Sequence, residues 1–221
     1  MTIGEAMRAR HSVRRYQDRP IEPEKIDRLA REVDRCNAEG GLHIQLVTDE
    51  PKAFDGFMAH YGSFSGVRNY FAMIGPKTGE LDERTGYYGE RLVLLAQELG
   101  LNTCWVALTF SKGKVPARIA KGEKLVCVIA LGYGETQGAA RKSRPMDALC
   151  RAENPMPDWF RRGMEAAMLA PTAVNQQRFL IELDGDRARA KTTGGFYSGV
   201  DLGIVKYHFE GGSGTDSSIW L

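Results

Sequence analysis

Arg10-His11-Ser12-Val13-Arg14-Arg15-Tyr16 is the stretch on which the fold assignment turns. Arg10, Ser12 and Arg14 alternate, and in extended or turning backbone residues two apart point the same way. Two guanidiniums and a hydroxyl then converge on one object. Arginine supplies forked donors that match phosphate oxygens, and serine adds a third donor. A solvated basic helix end, with cations near the C-terminal dipole, gives the same letters.

On its N-terminal side, Thr2 and Glu5 have capping-box spacing, which predicts a first helix running to about Arg10. On its C-terminal side, Pro20 and Pro23 lead into a second helix. Ile26, Leu29, Ala30, Val33 and Cys36 repeat there at helical spacing until Gly40-Gly41 ends it. Strands are expected at 42–48, 69–74, 103–108, 125–131 and 178–183, and helices at 87–99, 158–168 and 200–209. Residues 144–157 carry Pro145, Pro155 and Pro157 and read as a connector. Asp184-Gly185 is a hairpin turn signal, Gly194-Gly195 a plain turn, and the Gly/Ser-rich tail at 211–218 is expected to be mobile. The mixture is α+β, with no regular βαβ repeat.

Composition narrows the function. The chain has 221 residues, 43% of them hydrophobic, enough for one sizeable domain or a domain with an appended half. No run of about 20 apolar residues spans a membrane, and no secretory signal is apparent. Thirty basic and 28 acidic residues leave a formal charge of +2, which argues against nucleic acid. The basic residues cluster locally at 8–15 and 141–144, which suits a small anion. Cys36, Cys104, Cys127 and Cys150 form no CxxC pair, so no zinc or thioredoxin-like motif is supported, and a reducing cytoplasm is expected. No Ser-His-Asp order, HExxH or Walker motif occurs, and neither His11 nor His43 is assigned a proton-transfer role.

Two further segments carry chemistry. Arg141-Lys142-Ser143-Arg144 follows a strand and a Gly-Tyr-Gly turn, and is either an anion site or a soluble linker. Ala170-Pro171-Thr172-Ala173-Val174-Asn175-Gln176-Gln177 follows a helix rich in small residues. Its small residues admit a flat ligand to the backbone, and Asn175 and Gln177 offer donors and acceptors. A turn in which Asn and Gln satisfy backbone groups is the alternative.

The Arg10–Tyr16 heptapeptide resembles the N-terminal signature of the FMN-dependent nitroreductase family. Gly100-Leu101-Asn102-Thr103-Cys104-Trp105 is similar to the family's helix-to-strand passage beside the isoalloxazine. Leu131-Gly132-Tyr133-Gly134, with Lys142 and Arg144 beyond it, is similar to its last strand and phosphate-binding tail. The 170–177 segment resembles the family's Ala-Pro-Ser-x-x-Asn-x-Gln, with Thr172 keeping the hydroxyl and Arg178 replacing the usual Pro or aromatic.

The resemblance implies an α+β fold of nitroreductase type, a mixed sheet flanked by helices. It implies FMN bound by Arg10, His11, Ser12, Arg14, Ala107, Leu108, Lys142, Arg144, Pro171, Thr172, Asn175 and Gln177, with no catalytic side chain and no metal. NADH or NADPH would deliver hydride, and a flat acceptor such as a nitroaromatic or quinone would be the substrate. The order of motifs departs from the family: the Ala-Pro-Ser-type segment usually follows the second helix, where this chain has Arg35-Cys36-Asn37-Ala38-Glu39-Gly40-Gly41. The chain is therefore similar to a fused, partly degenerate dimer. Residues 1–150 would be the main part and 151–221 a half-repeat that completes the flavin site, in a monomeric pseudo-dimer or a homodimer. An FMN storage or sensing protein without nicotinamide turnover, or a non-flavin module for a phosphorylated metabolite, also fits these residues.

Overall fold

A computed structural model describes all residues except Asn154. Helices α1 (Ile3–Ala9), α2 (Pro23–Gly40), α3 (Phe57–Tyr61), α4 (Leu81–Glu98), α5 (Asp158–Ala167) and α6 (Ser198–Ser213) alternate irregularly with seven strands. The strands are β1 (Gln45–Val47), β2 (Asn69–Pro76), β3 (Asn102–Val106), β4 (Glu123–Gly132), β5 (Cys150–Arg151), β6 (Phe179–Asp184) and β7 (Arg187–Thr192). The class is α+β, as the pattern of residues implies. The chain divides into two compact units, one of Ala9–Leu81 and Leu92–Ala140, the other of Met1–Arg8, Asp82–Arg91 and Arg141–Leu221.

The first unit is built on a four-stranded antiparallel sheet in the order β1-β2-β4-β3. Tyr70, Ala72 and Ile74 of β2, Cys104 and Val106 of β3, and Val128 and Ala130 of β4 alternate onto one face and pack with Phe54, Phe64 and Phe110. Phe71, Met73, Cys127 and Ile129 are buried on the opposite face. Burial on both faces explains why β2 and β4 are near-continuous apolar runs. α2 carries the expected apolar stripe of Leu29, Val33 and Cys36, and Gly41 closes it in the left-handed conformation at φ 59°.

In the second unit β6 pairs in parallel with β5 and antiparallel with β7, so mixed pairing is confined to this small sheet. Asp184-Gly185 turns the β6–β7 hairpin as expected. Thr2 and Glu5 form the reciprocal capping box, with Glu5 Oε2 2.7 Å from the Thr2 amide and Thr2 Oγ1 3.3 Å from the Glu5 amide. α6 packs on α5 and on β6 and β7.

The tail departs from expectation. Gly211, Gly212 and Ser213 continue α6, because the glycines serve close packing: a Cβ on Gly212 would overlap Ala166 and stand 2.7 Å from the Arg162 carbonyl oxygen. Beyond them Trp220 Nε1 donates to Glu210 Oε1 at 2.6 Å and the Leu221 amide donates to the Ala188 carbonyl at 2.9 Å. The connector at 144–157 contains β5, and its Asn154 lies outside the described residues. The four cysteines are buried and reduced, and no described helix is long and apolar enough to cross a membrane.

Candidate functional site

Residues 10–17 leave α1 and run along the open edge of β3. Ser12 bridges Thr103 in parallel, and the Val13 amide donates to the Thr103 carbonyl at 3.0 Å. Further on, the Gln17 amide donates to the Tyr133 carbonyl at 2.8 Å and the Glu135 amide to the Arg15 carbonyl at 2.9 Å. Val13 and Tyr16 point into the core, which fixes the register of the segment. Buried Asn102 locks the neighbouring loop, accepting from the Gly134 amide at 2.9 Å and donating to Gln137 Oε1 at 3.0 Å. Gly138, at φ +75°, lets this loop approach: a Cβ there would lie 2.7 Å from His11 Cβ.

Arg10, Ser12 and Arg14 lie in sequence along the edge of β3, where Ser12 bridges Thr103. Burial pushes the Cys104 thiol of β3 up, and the positive charges of Arg14 and Arg10 oppose it. Arg10 is buried, Ser12 and Arg14 are exposed, and the Arg14 guanidinium stands 5.9 Å from the centre of the Phe64 ring. Ser12 and Arg14 present a hydroxyl and a positive charge to solvent. His11 is half-buried beside Gly138. Ala107 and Leu108 follow the end of β3, with Ala107 half-buried and Leu108 exposed. Neither belongs to the donor cluster.

The other unit brings together the 141–144 segment and the 170–177 segment. Gln177 is the tie. Its amide donates to Thr172 Oγ1 at 3.0 Å, its Oε1 accepts from the Arg144 amide at 2.8 Å, and its Nε2 donates to the Lys142 carbonyl at 3.0 Å. Asn175 Nδ2 donates to the same carbonyl at 3.0 Å. Arg141 Nη2 and Ser143 Oγ both donate to the Met168 carbonyl. The Lys142 and Arg144 side chains leave an anchored backbone and are exposed, with Arg144 Nη1 donating back to the Gln177 carbonyl at 3.5 Å, while Gln177 is 3% exposed with its amide group engaged within the protein. Pro171 is buried and Thr172 half-buried. Val174, Asn175 and Gln177 all have positive φ, at 44°, 57° and 46°. Non-glycine residues rarely adopt this region, and such strain concentrates at functional sites.

Sequence reasoning missed Asp201, which is 5% exposed and accepts from the Ala173 amide at 2.9 Å and from Gln176 Nε2 at 2.7 Å. Burial raises its pKa to about 6 against the opposing hydrogen bonds of Gln176 and Ala173. Its only sequence signal is an acidic residue in the first turn of a helix. Asn102 and Gly138 were missed for a similar reason, since their roles are contacts with distant residues.

Several solved structures share the fold. A "putative nitroreductase" from Thermotoga maritima matches with TM-score 0.67 and 24% identity, over 96% of this chain and 83% of that one. A "putative nitroreductase in complex with fmn" from Desulfovibrio desulfuricans matches with TM-score 0.56 and 19% identity, over 70% of this chain and 98% of that one. A "Putative NADH dehydrogenase/NAD(P)H nitroreductase" from Parabacteroides distasonis matches with TM-score 0.52 and 23% identity, over 70% and 98%. The fold is thus that of the nitroreductase class. The family model described as "Putative TM nitroreductase" matches residues 2–213, and the chain belongs to that family. Among proteins of curated function none matches the sequence.

Proposed function

We propose that this protein is an FMN-dependent oxidoreductase that takes hydride from NADH or NADPH and reduces a flat acceptor such as a nitroaromatic or quinone. The observation that supports the reading is the placement of Ser12, with Arg10 and Arg14 two residues to either side, along the edge of β3. Every side-chain group in that set donates or carries positive charge, apart from the ambivalent serine hydroxyl, which is the chemistry a phosphate monoester needs. The donor set fits FMN through its phosphate. His11, Ala107 and Leu108 are read as flanking contacts. Lys142, Arg144, Pro171, Thr172 and Asn175 are read as the cofactor contacts of the other unit, with Gln177 holding their backbone in place.

Bound FMN would supply the two-electron chemistry, accepting hydride and passing reducing equivalents to the acceptor. The chain's own residues bind the phosphate, orient the flavin and limit access of water. No side chain is required as nucleophile or base. The displaced 170–177 motif supports reading 151–221 as the remnant of a second subunit fused to 1–150. One flavin per monomer in sedimentation would agree with that reading.

The test is a spectrum and a titration. The purified protein should carry flavin absorbance that bleaches on adding NADH or NADPH. Apoprotein should bind FMN more tightly than riboflavin, and Ser12→Ala should weaken FMN about tenfold while leaving riboflavin unchanged. Absorbance without bleaching would point to flavin storage or sensing. Absence of flavin binding would leave a module for another phosphorylated metabolite.

A further inference from the structure

We propose that Asp201 is a positioning residue for the loop at 172–177, holding it in the shape that receives the isoalloxazine end of FMN. The proposal rests on the functional reading above. A backbone with three non-glycine residues at positive φ persists only where its surroundings over-determine it. On one side the loop is tied through Gln177 and Asn175 to the Lys142 carbonyl. On the other side the tie is Asp201.

Asp201 lies in the first turn of α6 and reaches the loop with both carboxylate oxygens. One accepts from the Ala173 amide at 2.9 Å and the other from Gln176 Nε2 at 2.7 Å. Gln176 Nε2 also donates to the Phe196 carbonyl at 2.9 Å, so a single amide joins the loop to the turn before α6. Gly195, at φ +99°, makes room for that amide, since a Cβ there would overlap Gln176. Gly199 and Gly203 face Asp82 and Glu83 of α4. Position 201 is two residues from each and lies on the opposite side of the helix from that contact with α4. The causes that set its protonation are burial and the hydrogen bonds of Gln176 and Ala173, none of them a charge. Asparagine in its place would accept from the Ala173 amide without burying a charge, but its second terminal atom is a donor and cannot serve Gln176. What the carboxylate adds is charge-assisted bonding, roughly twice as strong as neutral bonding, and hence stiffness.

The experiment compares full-length wild type, Asp201→Ala and Asp201→Asn. The first readout is hydrogen exchange at Ala173–Gln177 in the apoprotein, which needs no flavin. The second is the affinity for FMN and for riboflavin. Exchange should quicken about tenfold or more in Asp201→Ala, with Asp201→Asn between it and wild type, because Asn keeps the acceptor for Ala173. FMN and riboflavin should both weaken about tenfold in Asp201→Ala, since the ring end and not the phosphate is affected. Unchanged exchange overturns the positioning role. Faster exchange with unchanged flavin affinity overturns the link to the flavin. A wild type that binds neither flavin removes the functional reading and with it the proposal's ligand, while the exchange arm still decides whether Asp201 holds the loop.

Discussion

Glu90 on α4 and His208 on α6 meet with a carboxylate oxygen 2.8 Å from the imidazole Nε2, and neither side chain is exposed. The other ring nitrogen, Nδ1, stands 3.1 Å from the Ala166 carbonyl oxygen, which can only accept. Nδ1 therefore donates to that carbonyl, and Nε2 faces the Glu90 carboxyl group. Removing Glu90 leaves a buried ring nitrogen unpaired, and Glu90→Ala should cost about 3–5 kcal/mol. Glu90→Gln should cost far less, because its amide can donate to Nε2 of the neutral ring. Urea unfolding of the two variants measures the gap. Equal losses would mean that charge, not hydrogen bonding, holds the pair.

The same two helices approach through glycine. A Cβ on Gly86 of α4 would overlap the Val200 carbonyl, and a Cβ on Gly203 of α6 would overlap that of Glu83. Farther along α6, Gly212 meets α5 at Ala166 and Arg162. These obstacles are mostly backbone, which cannot swing aside. Gly212→Ala should therefore destabilise by about 1–3 kcal/mol, although alanine is the better helix former. A raised melting temperature would show that α6 frays before Gly211.

These glycines also mark the limit of what was legible. The Thr2–Glu5 box, the Leu29-Val33-Cys36 stripe, the apolar runs of β2 and β4 and the Asp184-Gly185 turn are local signals, and each produced the element it implies. Gly211-Gly212 reads locally as a loop, and only the contact with α5 makes it helix. β7 was missed because Arg187-Ala188-Arg189-Ala190-Lys191-Thr192 buries only small alanines beneath a charged outer face. In the site, the Arg10-Ser12-Arg14 alternation is visible in the sequence because it depends only on neighbouring residues. The internal role of Gln177 and the existence of Asp201 depend on partners up to 35 residues away.

Asp201 gives a pH dependence with a definite sign. Its ordinary value is 3.8 and burial lifts it to about 6 in the folded protein. Between these values the folded state holds a proton that the unfolded state has released, so stability falls as pH rises from about 4 to about 6 and stays lower above that. The full linkage is about 3 kcal/mol. Asp201→Asn removes the burial cost and loses one charge-assisted bond, so a net gain of about 1–2 kcal/mol is expected at pH 8, with little or none at pH 4. Urea midpoints at both pH values check this. A variant less stable than wild type at pH 8 would mean that the hydrogen bonds outweigh the buried charge.

Val174 breaks two local rules at once. It is β-branched at φ 44°, and it is 81% exposed. Neither the left-handed backbone nor the exposed apolar side chain contributes to folding, and such conflicts are expected where function overrides stability. Asparagine tolerates the left-handed region far better than valine. Val174→Asn should therefore stabilise the apoprotein by about 1 kcal/mol, read as a rise in melting temperature. If the exposed valine packs against the flavin, the same variant should weaken both FMN and riboflavin several-fold, the opposite direction from its effect on stability. A stabilised variant with unchanged flavin affinity would leave the strain at Val174 without a cofactor role. A destabilised variant would show that the valine side chain already has a packing partner when no flavin is bound.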